Sequence, residues 1–150
     1  MATYDLTAAG GTTGHPANGR TPYLVENTID MSAFDPAAGD IIQAIDVPAE
    51  TLVMSAGLEV LTASSSSVTF DLGITGSTAG HQDPDAFVDA YDATGTGYAP
   101  MDATDASAML VCKVADTIDI LTAGAQDTAG KVRVWAVLCD ISGVDETDHN

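Results

Sequence analysis

The segment HQDPDAFVDAYD, residues 81–92, holds the densest set of side chains with chemical potential: His81 with Asp83, Asp85, Asp89 and Asp92. Oxygen-rich loops of this kind can hold Ca²⁺, and Asp83, Asp85 and Asp89 are the candidate ligands. The EF-hand pattern is not met, because Phe87 stands at the third acidic position, the required glycine is missing and no Glu closes the loop. A solvated, turn-rich loop accounts for the same composition without a metal. His15, His81 and His149 are widely separated and have no Cys or Glu at the next helical turn, so zinc has no recognisable site. Ser64, Ser65, Ser66 and Ser67 lack a GxSxG context and an evident base, and the glycines form neither GxGxxG nor a P-loop. These residues predict no catalytic centre, no cofactor and no enzymatic activity.

Charge narrows the classes further. The chain carries 22 acidic residues against Arg20, Lys113, Lys131 and Arg133, for a formal net charge of −18. Direct nucleic-acid binding needs cations to neutralise phosphates, and four scattered ones build no patch. A DNA-mimic inhibitor would need carboxylates at phosphate-like spacing on one face, whereas these aspartates are spread through loops. The acid is mostly Asp and Lys is nearly absent, a composition suited to concentrated salt. At about 1 M ionic strength the Debye length falls to about 3 Å, which screens self-repulsion. A saline source is one reading, and an acidic surface serving solubility is the other. No apolar run of about eighteen residues and no signal-peptide pattern is present, so no membrane insertion is expected.

A hydrophobic fraction of 45%, arranged in alternating runs, predicts a folded chain, and 150 residues suit one domain. Residues 1–21 contain four glycines and few large apolar side chains, and read as an extended N-terminal arm. Strand candidates follow at PYLVENTIDM and GDIIQAIDV, the second with Ile41, Gln43, Ile45 and Val47 on one face. TLVMSAGLEVLT places Leu52, Met54, Ala56, Leu58 and Val60 on one side, and Gly57 suggests a bulge. Across the short link ASSSS, VTFDLGI alternates Val68, Phe70, Leu72 and Ile74, so the two runs read as an antiparallel hairpin. From 75 to 107 the periodicity vanishes, which predicts a long loop excursion, apart from a brief DAFVDAY that reads as one helical turn or a short strand. AMLVCKV, TIDILT and KVRVWAVLCDIS complete seven or eight strands without a convincing helix. The expected fold is all-β: an antiparallel β-sandwich over 22–145, jelly-roll-like or else immunoglobulin-like, with residues 146–150 as a tail. Cys112 and Cys139 lie within apolar strands as free thiols, or as a pair that spacing cannot settle.

The last strand poses a question. Val132, Val134, Ala136 and Leu138 mark its inner face, yet the other face turns from Lys131 and Arg133 to Trp135, Val137 and Cys139. Either the chain's own excursion or arm covers that second face, or a second copy of the protein does, in which case Trp135, Val137 and Cys139 form the oligomer interface.

The succession AGDIIQAIDVPAETLVMSAGLEVLTA, SSVTFDLGITG, DPDAFVDAYDA and TIDILTAGAQDTAGKVRVWAVLCDIS, spanning about residues 39–142, resembles the capsid decoration (cement) proteins of tailed viruses, of the marine or halophilic phage type. The resemblance implies a jelly-roll-like structural protein, commonly a homotrimer, seated on the outer capsid surface where major capsid proteins meet. It carries over no catalytic residues. Under it the arm, with Tyr4, Leu6, His15 and Arg20, becomes a strap that binds the capsid. The expected partners are then further copies of itself and the major capsid protein, with no nucleic acid and no membrane, and the location is the virion, after assembly in host cytoplasm. Decoration protein, head-fibre base and tail component share such domains. A receptor- or glycan-binding module is the alternative, with Tyr91 and Tyr98 as its aromatic platforms.

Overall fold

Val132, Val134, Ala136 and Leu138 are fully buried and the residues between them are not, as the period of two in a strand dictates. A computed structural model of the chain describes residues 1–5, 21–76, 82–102 and 109–142. Its strands are β1 (Thr3–Asp5), β2 (Tyr23–Asp30), β3 (Ile41–Val47), β4 (Thr51–Thr62), β5 (Val68–Ile74), β6 (Asp83–Asp92), β7 (Gly97–Ala99), β8 (Leu110–Cys112), β9 (Asp116–Gly124) and β10 (Lys131–Asp140). A single 3-10 turn, Met31–Ala33, is capped by the Asp30 side chain. Among the described residues no helix is long and apolar enough to cross a membrane.

Two sheets face each other. The near sheet runs β2-β10-β4-β7, with β8 also paired to β4, and the far sheet runs β1-β3-β9-β5-β6. Along the chain β2, β4 and β10 fall in the near sheet while β3, β5 and β9 fall in the far one, so the polypeptide keeps crossing the core. Only β5 and β6 are sequence neighbours that pair with each other among the described strands. This is the double Greek key of a jelly roll. Phe70, Phe87, Leu72, Ile118 and Ile120 from the far sheet meet Val25, Leu58, Val134 and Leu138 from the near one in a single apolar layer. Asn27, buried on β2, donates its side-chain amide to the Ala44 carbonyl at 2.8 Å, a satisfied polar tie between the sheets.

Several expectations need correction. TLVMSAGLEVLT and VTFDLGI do not form a hairpin, because β4 and β5 lie in opposite sheets and residues 63–67 arch over the end of the sandwich. Each strand has one clean apolar face in either arrangement, so the pattern alone does not distinguish a hairpin from an arch. Asp127 holds the arch: it accepts hydrogen bonds from the Ser64 hydroxyl at 2.8 Å and from the N–H groups of Ser65, Ala129 and Gly130 at 3.3, 3.1 and 2.9 Å. Nor is the 75–107 segment a plain loop, since it contains β6 and β7. Its alternation is lost because Ala86, Phe87 and Val88 are buried in succession, where the β5–β6 register shifts twice.

The same device alters two other faces. An extra residue in β4 opposite Val137 and Leu138 buries Val53 in place of Leu52 and Met54. A shift between Gln43 and Ile45 buries Ile42, Ala44, Ile45 and Val47, leaving Ile41 and Gln43 half-exposed. The N-terminal arm also begins as structure, because β1 pairs parallel with Ile41–Gln43. Asp40 anchors it by accepting the Ala2 N–H at 2.6 Å, and Ile41 donates to the Ala2 carbonyl at 2.8 Å. Cys112 and Cys139 are both buried free thiols. Burial, with help from the Asp116 charge, pushes the Cys112 thiol up to about 11 and keeps it protonated.

Candidate functional site

The outer surface of the near sheet is where the greasy second face of β10 emerges. Antiparallel pairing sets Arg133 between Thr28 and Glu59, Trp135 between Glu26 and Gly57, and Val137 between Leu24 and Ser55. Beyond β4, Tyr98 of β7 stands opposite Glu59. Together Leu24, Glu26, Glu59, Tyr98, Arg133 and Trp135 line an open cleft of about 420 Å³. Leu24 and Tyr98 are 58% and 71% exposed, a large apolar presentation for neighbours on one face. The Arg133 guanidinium pairs with the Glu59 carboxylate, so the cleft is apolar at its ends and carries this ion pair, with Glu26 as a further acid, between them.

Gly57 shapes this surface. A Cβ there would lie 2.5 Å from the Trp135 indole and 2.8 Å from the Ala99 carbonyl oxygen, so the bare backbone lets the ring settle across β4. Trp135 is therefore half-covered by its own sheet. Val137 is likewise half-buried, but Cys139, with Leu52 as its cross-strand partner, is only 8% exposed and is already covered within the monomer. The expected triplet thus splits: Trp135 and Val137 reach the face, and Cys139 offers little surface to a partner. The end of β10 is enclosed because β8 adds to β4 there and Ile141 hydrogen-bonds back to Glu50 at 2.9 Å.

Tyr98 also borders a second open groove of about 400 Å³, shared with Val88, Asp89, Tyr91, Met101 and Asp102. The sequence-predicted pair Tyr91 and Tyr98 is therefore brought to one place.

The other predicted residues fall elsewhere. Tyr4 is in β1, half-buried, its ring 4.7 Å from that of Phe34 and packed on the core. Leu6, His15 and Arg20 lie outside the described residues, as do His81 and His149. Asp83, Asp85 and Asp89 are strung along β6, and among the described residues no three His, Cys, Asp or Glu side chains converge on a metal position. Hydrogen bonding to Asp83, then burial, raises the Asp85 carboxyl above the usual range. Lys113 pairs with Glu50 at 3.3 Å and Lys131 with Asp30 at 3.2 Å, so each described cation has a carboxylate partner. Leu24 was missed from the sequence. Its signal was present, since placing Val25, Asn27 and Ile29 inward leaves Leu24 outward, but the polar Asn27 obscured the alternation.

No protein-family profile matches the chain, and no curated protein does. Solved structures do. A chain of the capsid of Ralstonia phage GP4 superposes with a TM-score of 0.72 at 15% identity, covering 95% of this chain and 100% of that one. The fold is one that phage capsids contain. A chain of the acidic stable capsid structure of Helicobacter pylori bacteriophage KHP30 matches with a TM-score of 0.57 at 11% identity, over 79% of this chain and 86% of its own. One from the cyanophage Pam1 capsid asymmetric unit matches with a TM-score of 0.56 at 18% identity, over 88% and 95% respectively. At these identities the likeness is one of fold.

Proposed function

We propose that this protein is a structural component of a tailed-virus virion which binds the outer surface of the capsid and stabilises the shell as a homotrimer, without catalysing a reaction. The observation that carries the reading is the end-to-end match with a chain of the GP4 capsid, which leaves no part of that neighbour unaccounted for. The near-sheet face with Leu24, Tyr98, Trp135 and Val137 supports it, because apolar neighbours rimmed by Glu26 and the Arg133–Glu59 pair have the make-up of an interface. In this reading the face joins sister copies. A trimer then contacts several capsid subunits, and each bound copy adds its association free energy to the assembled shell. Linking three weak contacts raises the effective concentration for the second and third.

The test pairs solution mass with shell binding. Wild type is expected to run as a trimer by light scattering and to co-sediment with purified capsid shells lacking it. Leu24→Asp combined with Val137→Asp is expected to give monomers with at least tenfold weaker co-sedimentation. A wild-type monomer, or a double variant that remains trimeric, would refute this use of the face.

A second reading has its own observation. Tyr98, 71% exposed, and Tyr91 border one groove, the aromatic pairing that a receptor- or glycan-binding module of the virion would use. Saturable glycan binding lost in Tyr98→Ala would favour it.

A further inference from the structure

One flank of the sandwich brings two strand edges together. β6 ends the far sheet and β7 borders the near one, and neither has a second strand partner among the described residues. The backbone ties the flank at one point, where the Asp102 N–H donates to the Phe87 carbonyl at 2.8 Å. The groove of about 400 Å³ that Tyr91 and Tyr98 share runs beside this tie, with Val88 and Met101 as apolar lining and Asp89 and Asp102 as its carboxylates.

Two local features shape it. In β6, Asp89 and Ala90 together stand against Asp71 alone, and Ala90 takes the left-handed conformation (φ 46°), a strained state for alanine. The Asp71 carboxylate holds it by accepting the Ala90 N–H at 2.7 Å. This bulge lets Val88, Asp89 and Tyr91 all border the groove, where strict alternation would send Val88 and Asp89 to opposite faces. On the facing edge, a Cβ at Gly97 would lie 2.8 Å from the Tyr91 hydroxyl, so glycine leaves room for that ring to reach β7.

The lining selects the occupant. Tyr98 is 71% exposed and Tyr91 is half-buried, and both rings attract a cation placed over them. The charged side chains of the groove are both acidic, while Lys113, Lys131 and Arg133 are engaged elsewhere with Glu50, Asp30 and Glu59. The flanking strand edges add backbone N–H and C=O groups, which is how an extended polypeptide is held. In the assembly proposed above, sister copies take up the near-sheet face, so contact with the shell falls to another surface. This flank lies at the rim of that face, because Tyr98 borders both clefts.

We propose that the β6–β7 groove docks an extended segment of a shell subunit, with a lysine or arginine side chain lying across Tyr98 toward Asp89. The identity of the partner rests on the shell-binding reading, whereas its chemical class rests on the groove.

Two experiments separate these layers. NMR titration of the intact protein uses a short capped peptide of alternating lysine and valine, and its glutamate counterpart. In wild type the lysine peptide is expected to shift the Met101 methyl resonance saturably and to bind about tenfold more tightly than the glutamate one. Asp89→Lys and Tyr98→Ala should each weaken it by about tenfold, whereas Asp85→Lys, the same charge change on the same strand outside the groove, should not. In the second experiment Asp89→Lys is expected to remain trimeric by light scattering and to lose co-sedimentation with shells lacking the protein. Equal binding of the two peptides, equal weakening by Asp85→Lys and Asp89→Lys, or Tyr98-dependent glycan binding without peptide binding would overturn the groove assignment. Undiminished shell binding by Asp89→Lys would overturn its role at the shell. Selective lysine-peptide binding by a wild type that ignores shells would keep the peptide groove and refute the shell as its partner.

Discussion

Replacing Asp127 by Ala removes the acceptor on which the arch between β4 and β5 depends. Asp127 is fully buried and receives four hydrogen bonds, from the Ser64 hydroxyl and the N–H groups of Ser65, Ala129 and Gly130. The Gly130 donor is buried, so orphaning it costs about 1–3 kcal/mol, and the three partly solvated bonds are worth about 1 kcal/mol each once water replaces the carboxylate. The expected loss is about 4–6 kcal/mol, equivalent to a melting temperature lower by about 8–24 °C for a chain of this size. Asp127→Asn keeps an acceptor oxygen and should lose only about 1 kcal/mol. Urea unfolding followed by fluorescence of Trp135 measures both variants at constant m-value. The comparison also has a pH signature. Burial opposes the Asp127 charge, but the hydrogen bonds from Gly130, Ser64 and Ala129 outweigh it and hold the carboxyl below the usual range. A depressed folded-state value stabilises fully above the unfolded value near about 3.9 and loses that contribution as pH falls through the folded one. The gap between wild type and Asp127→Ala should therefore narrow in acid. A loss below about 1 kcal/mol at neutral pH would refute the role given to this side chain.

The remaining predictions concern the two sheet faces and the overall charge. Gly57→Ala forces the indole of Trp135 and the Ala99 carbonyl away from β4, at a cost of about 1–3 kcal/mol and with a shifted Trp emission spectrum; unchanged emission would contradict the close contact. Asp119→Asn should be more stable than wild type at pH 7, because burial raises the folded-state value of the Asp119 carboxyl, and such a group stabilises only at low pH and loses that contribution as pH rises through it. The gain should vanish below the ordinary carboxylate range, and a pH-independent difference would exclude titration as its source. With a net charge of −18, thermal stability should rise between about 0.1 and about 1 M NaCl as repulsion is screened, and a flat profile would count against adaptation to salt.

Much of the architecture was legible in the amino-acid sequence. Inner faces in β5 and β10 were read residue by residue, because strict alternation reports directly on which side meets the core. Those in β3 and β4 were misread by one position at the bulges, since an inserted residue changes facing without any distinctive side chain. The β6 strand shows in the sequence only as DAFVDAY, open to a helical turn or a short strand, for the same reason. Of the exposed face, Trp135 and Val137 were visible as apolar residues on the wrong side of a strand, but Leu24 lies more than a hundred residues away in sequence and joins them only through the pairing of β2 with β10.

By itself the sequence determined that this chain folds as a two-layer β structure, that it is strongly acidic and that its last strand is apolar on both faces. Tertiary structure alone decided that β4 and β5 part company across the core, that Cys139 is covered while Trp135 is only half-covered, and that Asp119 is buried beside Thr75. The reason is physical. Alternation records whether a side chain faces water, a local property, whereas strand partners and buried carboxylate neighbours are set by long-range contacts that leave no periodic trace in the chain.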